Sequence, residues 1–191
     1  MRTVTRLGWL GLSIAIAVAG WRLGSAQADG GVRVRPQVEV TNATPEQVDL
    51  VAWAVGRFEA AGLVAPSVRI EFDDDPTGCG EHLGFARGER VDVCTVLINA
   101  MARRVLLHEM GHVWLEQNTT EGTREGFLEL RGLPSWNASG DPWRLRGYEQ
   151  GAEILSWALG ERILSPQIPN ARPAALGRAF RFLTGRVLPT P

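Results

Sequence analysis

A chain of 191 residues with 45% apolar side chains can bury one proper core and is short for two. Its 20 basic residues, all arginine, face 21 acids, which excludes the basic excess that nucleic-acid binding draws on. Beyond residue 28 the balance is 17 arginines against 21 acids, a formal −4, and no charged partner is singled out.

Residues 1–6 (MRTVTR) are short and basic, residues 7–21 form an apolar stretch of 15, and Ala26-Gln27-Ala28 fits a small-residue cleavage pattern. The expectation is a secretory signal peptide over 1–28, followed by one extracytoplasmic domain over 29–191. The apolar stretch falls short of the ~20 residues of a membrane span. Trp21 and Arg22 end it untidily, which leaves an uncleaved N-terminal anchor as the alternative.

Residues 32–40 (VRVRPQVEV) alternate in part, as an edge strand interrupted by Pro36 would. Thr44-Pro45-Glu46-Gln47 offers Thr as N-cap, Pro at the first helical position and Gln two residues on, so it opens a helix running to about Gly62. Residues 68–72 and 91–98 read as strands. Between them, Asp73-Asp74-Asp75-Pro76 and Gly78-Cys79-Gly80 form a loop; the aspartate run lacks EF-hand spacing and reads as a solvated turn. Cys79 and Cys94 are the only cysteines. An even pair in an exported chain argues for a disulfide.

Residues 100–117 (AMARRVLLHEMGHVWLEQ) hold apolar positions at three- and four-residue spacing, contain no proline, and have Gly111 as their only glycine. Within this predicted helix, His108-Glu109-Met110-Gly111-His112 sets two imidazoles one turn apart on one face, with a glutamate between them. That pattern can supply two metal ligands and a general base within a single turn. Gly111 costs about 1 kcal/mol against alanine in a helix interior, which suggests that something, a neighbouring helix for example, approaches the backbone closely there. The polar run 118–122 ends the helix.

Two histidines do not complete a metal site. His82, the remaining histidine, lies upstream in a glycine-rich loop. Downstream, residues 148–159 (YEQGAEILSWAL) read as a second amphipathic helix with Glu149 and Glu153 one turn apart. A carboxylate pair on an otherwise apolar helix is expensive to bury unless it meets a cation or donors. Residues 173–186 give a last helix whose Arg178, Arg181 and Arg186 form a solvated face. The order of elements is that of a single α+β domain, with a short antiparallel or mixed sheet packed on the two helices that carry these histidines and glutamates.

On these residues the chain resembles the zincin metallopeptidases, and within them the gluzincin branch, where a downstream helix supplies a glutamate as third zinc ligand. The extended H-E-x-x-H-x-x-G-x-x-H class is excluded, because Leu115 and Asn118 stand at its glycine and third histidine. The runs 127–136 and 142–159 also resemble small secreted bacterial H-E-x-x-H proteins of unassigned activity. The resemblance covers roughly residues 100–160. It implies Zn²⁺ on His108, His112 and Glu149, Glu109 as general base, and Glu153 as the acid orienting a histidine ligand; the exchanged roles of Glu149 and Glu153 stay open. Tyr148, His82 and Arg146 are the candidates for steadying an oxyanion or substrate. The implied activity is hydrolysis of a peptide or protein by zinc-activated water. The alternatives are a zincin-like domain that holds metal or a partner without turnover, and an interaction module without metal.

Overall fold

The computed structural model describes residues 31–189, apart from positions 36, 74, 76–78, 81 and 96. The expected leader, residues 1–28, lies outside the described residues. Five strands and five helices follow one another as β1 (Val32–Arg35), β2 (Val38–Thr41), α1 (Pro45–Ala60), β3 (Val68–Phe72), β4 (Gly84–Arg87), β5 (Arg90–Val93), α2 (Ala100–Asn118), α3 (Glu121–Arg131), α4 (Gly147–Leu159) and α5 (Pro173–Thr184). A short 3-10 turn, Trp143–Leu145, precedes α4.

The strands form one mixed sheet in the order β1-β2-β3-β5-β4. The β1/β2 and β4/β5 pairs are antiparallel, and β2/β3 and β3/β5 are parallel. The parallel β2–β3 step needs a crossover, and α1 provides it. Thr44 caps α1 with the expected capping box: its hydroxyl accepts from Gln47 N at 3.3 Å, and its own N–H donates to Gln47 Oε1 at 2.7 Å. Alternation then sorts the sheet's two faces. Val38, Val40, Val68, Ile70, Phe72, Val91 and Val93 are buried in one core cluster with Leu50, Val51, Ala54, Val55 and Phe58 of α1 and Leu106, Leu107, Met110 and Val113 of α2. The intervening residues on the other face form ion pairs, Arg69–Glu39 at 3.3 Å, Arg90–Glu71 at 2.9 Å and Arg90–Asp92 at 2.7 Å.

The structure corrects several expectations. Residues 32–40 are two strands rather than one edge strand, and β2 is interior because β1 folds back on one side of it while β3 pairs on the other. The strand expected over 91–98 stops at Val93, since Cys94 turns into the disulfide and Asn99 already caps α2, accepting from Met101 N and Ala102 N at 2.9 and 3.0 Å. Between β3 and β5, past the loop expected over 73–80, lies a strand that the sequence did not announce, β4, which forms a tight hairpin with β5. The run 118–122 ends α2 but starts α3, because the Thr120 hydroxyl accepts from Thr123 N at 3.2 Å and caps a new helix.

Cys79 and Cys94 form a disulfide, with Cα atoms 5.8 Å apart. The bridge ties the loop before β4 to the end of β5. Among the described residues no helix is long and apolar enough to cross a membrane. Closing 15 residues constrains the unfolded chain by about 3 kcal/mol. Thiol labelling of the unreduced protein should therefore find no free cysteine, and the double Cys79→Ala, Cys94→Ala variant should unfold at correspondingly lower denaturant. Labelling of two thiols in the native protein would refute the bridge.

Candidate metal centre

The site is built where α2 crosses α4. The two helices run antiparallel: Leu115 meets Gly151, Gly111 meets Ala152, and Arg104 meets Glu153. A Cβ on Gly111 would stand 3.3 Å from Ala152 Cα and 3.5 Å from Leu155 Cβ, so the glycine is what lets the backbones come this close. The first amides of α4 are satisfied by the preceding loop, Gly147 N donating to Ser135 O at 2.9 Å and Tyr148 N to Trp136 O at 2.8 Å. These contacts fix where the start of α4, and hence Glu149, points.

Across this crossing lie His108, His112 and Glu149, the one group among the described residues whose ligand atoms converge closely enough to hold a metal ion. The two histidine Nε2 atoms are 3.0 Å apart, and Glu149 Oε2 lies 3.5 Å from His108 Nε2 and 3.3 Å from His112 Nε2. All three side chains are largely withdrawn from water, at 13%, 6% and 14% exposure. Burial would raise the Glu149 carboxyl, but the His108 and His112 rings outweigh it and hold the group at about 2. The buried His112 Nδ1 has no hydrogen-bond partner among the described residues. The ring's polar contacts are therefore all made through the nitrogen that faces the triangle.

Glu153 stands behind this group. Its Oε1 is 3.7 Å from His108 Nδ1, beyond hydrogen-bond reach, while Arg104 Nη2 reaches both of its oxygens at 3.0 and 2.7 Å. Glu109 is buried against β4. Burial is the main cause that pushes its carboxyl up to about 7, with Glu149 adding to the rise, while His108 and a backbone hydrogen bond from Ala86 oppose it. Ala86 belongs to β4, and β4 can lie this close to α2 because Gly84 has no side chain: a Cβ there would meet Val105 Cγ1 at 2.7 Å and Glu109 Cγ at 2.9 Å.

The triangle opens into a cleft of about 470 Å³. His82, Arg146 and Tyr148 all line it, but two of the three have their polar ends engaged. The Tyr148 ring stacks on His112, with centroids 4.1 Å apart, and its hydroxyl donates to Glu116 at 3.0 Å. Burial first, then Glu116, raises the phenol well above its usual range. The Arg146 guanidinium donates to the carbonyls of Asp141 and Ser139 at 2.9 and 3.2 Å. Of the two loop tryptophans, Trp143 is 42% exposed, lines the cleft and lies nearly parallel to His108. Trp136 is a packing residue between Phe127, Tyr148 and Arg124.

Sequence reasoning missed three contributors: Arg104, Glu116 and the strand β4. Arg104 and Glu116 carried a signal, since they continue the four-residue spacing of His108 and His112 in both directions along α2. Compared with protein-family models, with curated proteins and with solved structures, the chain matches none.

The Gly111 contact gives a test that touches no ligand. Gly111→Ala should be close to neutral in stability, because a helix-propensity gain of about 1 kcal/mol offsets the crowding at Ala152. Gly111→Leu should destabilise by about 1–3 kcal/mol through overpacking. By pushing α4 away it should also weaken metal binding at least tenfold in a chelator competition. Wild-type affinity in a folded Gly111→Leu protein would show that the helix crossing does not set the ligand geometry.

Proposed function

We propose that this chain is a secreted zinc-dependent hydrolase, and specifically a metallopeptidase of zincin type with a gluzincin-like ligand set of His108, His112 and Glu149. The observation that carries the reading is the triangle itself. Zinc held tetrahedrally at 2.0–2.1 Å spaces its ligand atoms about 3.3–3.4 Å apart, and the three edges here are 3.0, 3.3 and 3.5 Å. Two imidazoles and one carboxylate are a donor set that suits zinc and leave one position open. The disulfide agrees with an oxidising, extracytoplasmic compartment.

Bound zinc would supply a Lewis acid that acidifies water and polarises a carbonyl. The remaining work falls to the chain. Glu109, buried beside His108, would take the proton of the attacking water and return it to the leaving group. Among the described residues β4 pairs with β5 alone and borders the cleft, so its outer edge, apart from the Ala86 amide held by Glu109, would align an extended peptide. Trp143 would offer an apolar wall to substrate side chains.

A second reading, a metal-holding domain without turnover, is favoured by one observation: the Tyr148 hydroxyl and the Arg146 Nε and Nη2 already donate within the protein. Glu109 argues for the first reading, because a purely structural metal needs no base. Two measurements decide between them. Metal analysis of purified protein should find one zinc per chain. Incubation with a mixed peptide library should give cleavage that a chelator stops and zinc restores. Stoichiometric zinc without cleavage of any peptide would leave the metal-holding reading in place of the enzyme.

A further inference from the structure

The α2 face that carries the histidines is a ladder of four residues one turn apart, Arg104, His108, His112 and Glu116. Helix α4 answers it in reverse order. Glu116 takes the Tyr148 hydroxyl, both imidazoles face Glu149, and Arg104 holds Glu153. Two carboxylates therefore flank His108, Glu149 at 3.5 Å from Nε2 and Glu153 at 3.7 Å from Nδ1. They are one helical turn apart and chemically identical, and sequence alone does not separate their roles.

Their surroundings do separate them. Glu153 is 7% exposed and Arg104 18%, and the arginine is itself anchored, with Nη1 donating to Ser165 O at 3.3 Å and its own carbonyl accepting from Ser156 Oγ at 3.0 Å. We propose that Arg104 is a positioning residue of the metal centre: it holds Glu153 behind His108, out of the ligand triangle, and so leaves Glu149 as the only carboxylate ligand. A buried carboxylate deprived of its cation turns to the nearest other cation or donor, and next to Glu153 that is the metal and its His108 ligand. The proposal rests on the metal-centre reading above.

The test compares Arg104→Met, Arg104→Lys and the double variant Arg104→Met, Glu153→Gln. It reads zinc affinity by chelator competition and the visible absorption of the Co²⁺-loaded protein, which reports the number and type of ligands. Arg104→Met should shift zinc affinity by roughly tenfold or more from the wild-type value, because a buried carboxylate freed of its cation then competes with Glu149 for the ion. Its cobalt spectrum should change as Glu153 enters. Arg104→Lys should return most of the way to the wild-type affinity, and the double variant should regain the wild-type spectrum because no second carboxylate is left to bind. A merely structural arginine would lower the metal-free melting temperature and leave both metal readouts alone. A folded Arg104→Met protein with zinc affinity within twofold of wild type and an unaltered cobalt spectrum overturns the proposal. Should that variant not fold, an altered cobalt spectrum in the folded double variant overturns it equally. Failure of the wild type to bind either ion would instead overturn the metal-centre reading itself.

Discussion

Glu109→Gln is expected to retain one zinc per chain and to lose hydrolysis by roughly 10²-fold or more, the scale of general acid–base assistance. The substitution leaves His108, His112 and Glu149 untouched and is nearly isosteric, so the triangle should persist. It should also be tolerated structurally. Burial already pushes the Glu109 carboxyl up to about 7, and a neutral amide in that place asks less of its surroundings than a charge does. The amide oxygen can still accept from the Ala86 backbone. Metal analysis beside initial rates on any peptide that the wild type cleaves supplies both numbers. Equal rates for the variant and the wild type would remove Glu109 from the mechanism, and with it the proposed hydrolase.

His112→Ala should lose metal, activity and the stability that metal adds. Two remaining protein ligands hold zinc poorly. In the wild type, zinc at 100 times its dissociation constant should stabilise the native state by about 2.7 kcal/mol, visible as a rise in melting temperature that a chelator removes. The variant should show no such rise. Its metal-free form should also be less stable than the metal-free wild type, because the buried ring packs against Tyr148 at a centroid distance of 4.1 Å. A His112→Ala protein that still binds one zinc with wild-type affinity would show that the ion sits elsewhere.

Much of this site was legible in the residues because helical spacing is a local property. The pair His108 and His112 and the pair Glu149 and Glu153 follow from a period of 3.6, the close approach at Gly111 from the cost of a glycine inside a helix, and the structure places them on two crossing helices. The capping box at Thr44 and the Cys79–Cys94 bridge were equally readable. Features fixed by distant pairing were not. The β4 sequence, GFAR, has little alternation or branching, and it becomes a strand only because β5 returns beside it and Gly84 lets it lie on α2. The interior position of β2 depends on β3, on the far side of α1. α3 has its apolar residues only in its second half, at Phe127, Leu128 and Leu130, so its first turns, EGTREG, read as a polar connection. Arg104 stands on the readable four-residue ladder of α2, but the partner that gives it a role, Glu153, lies across the helix crossing.

The spacing of the two fastenings along the chain has a consequence for assembly. The disulfide joins residues 79 and 94 just ahead of α2, and the proposed metal would join residues 108 and 112, within α2, to residue 149 at the start of α4. The two loops are consecutive and do not overlap, so neither closure depends on the other. Oxidation would lock the hairpin side and metal the helical side, each removing its own share of the unfolded chain's freedom. A reductant and a chelator should therefore loosen different halves of the domain. Hydrogen exchange under each treatment would trace β4 and β5 in one case and α2 with α4 in the other.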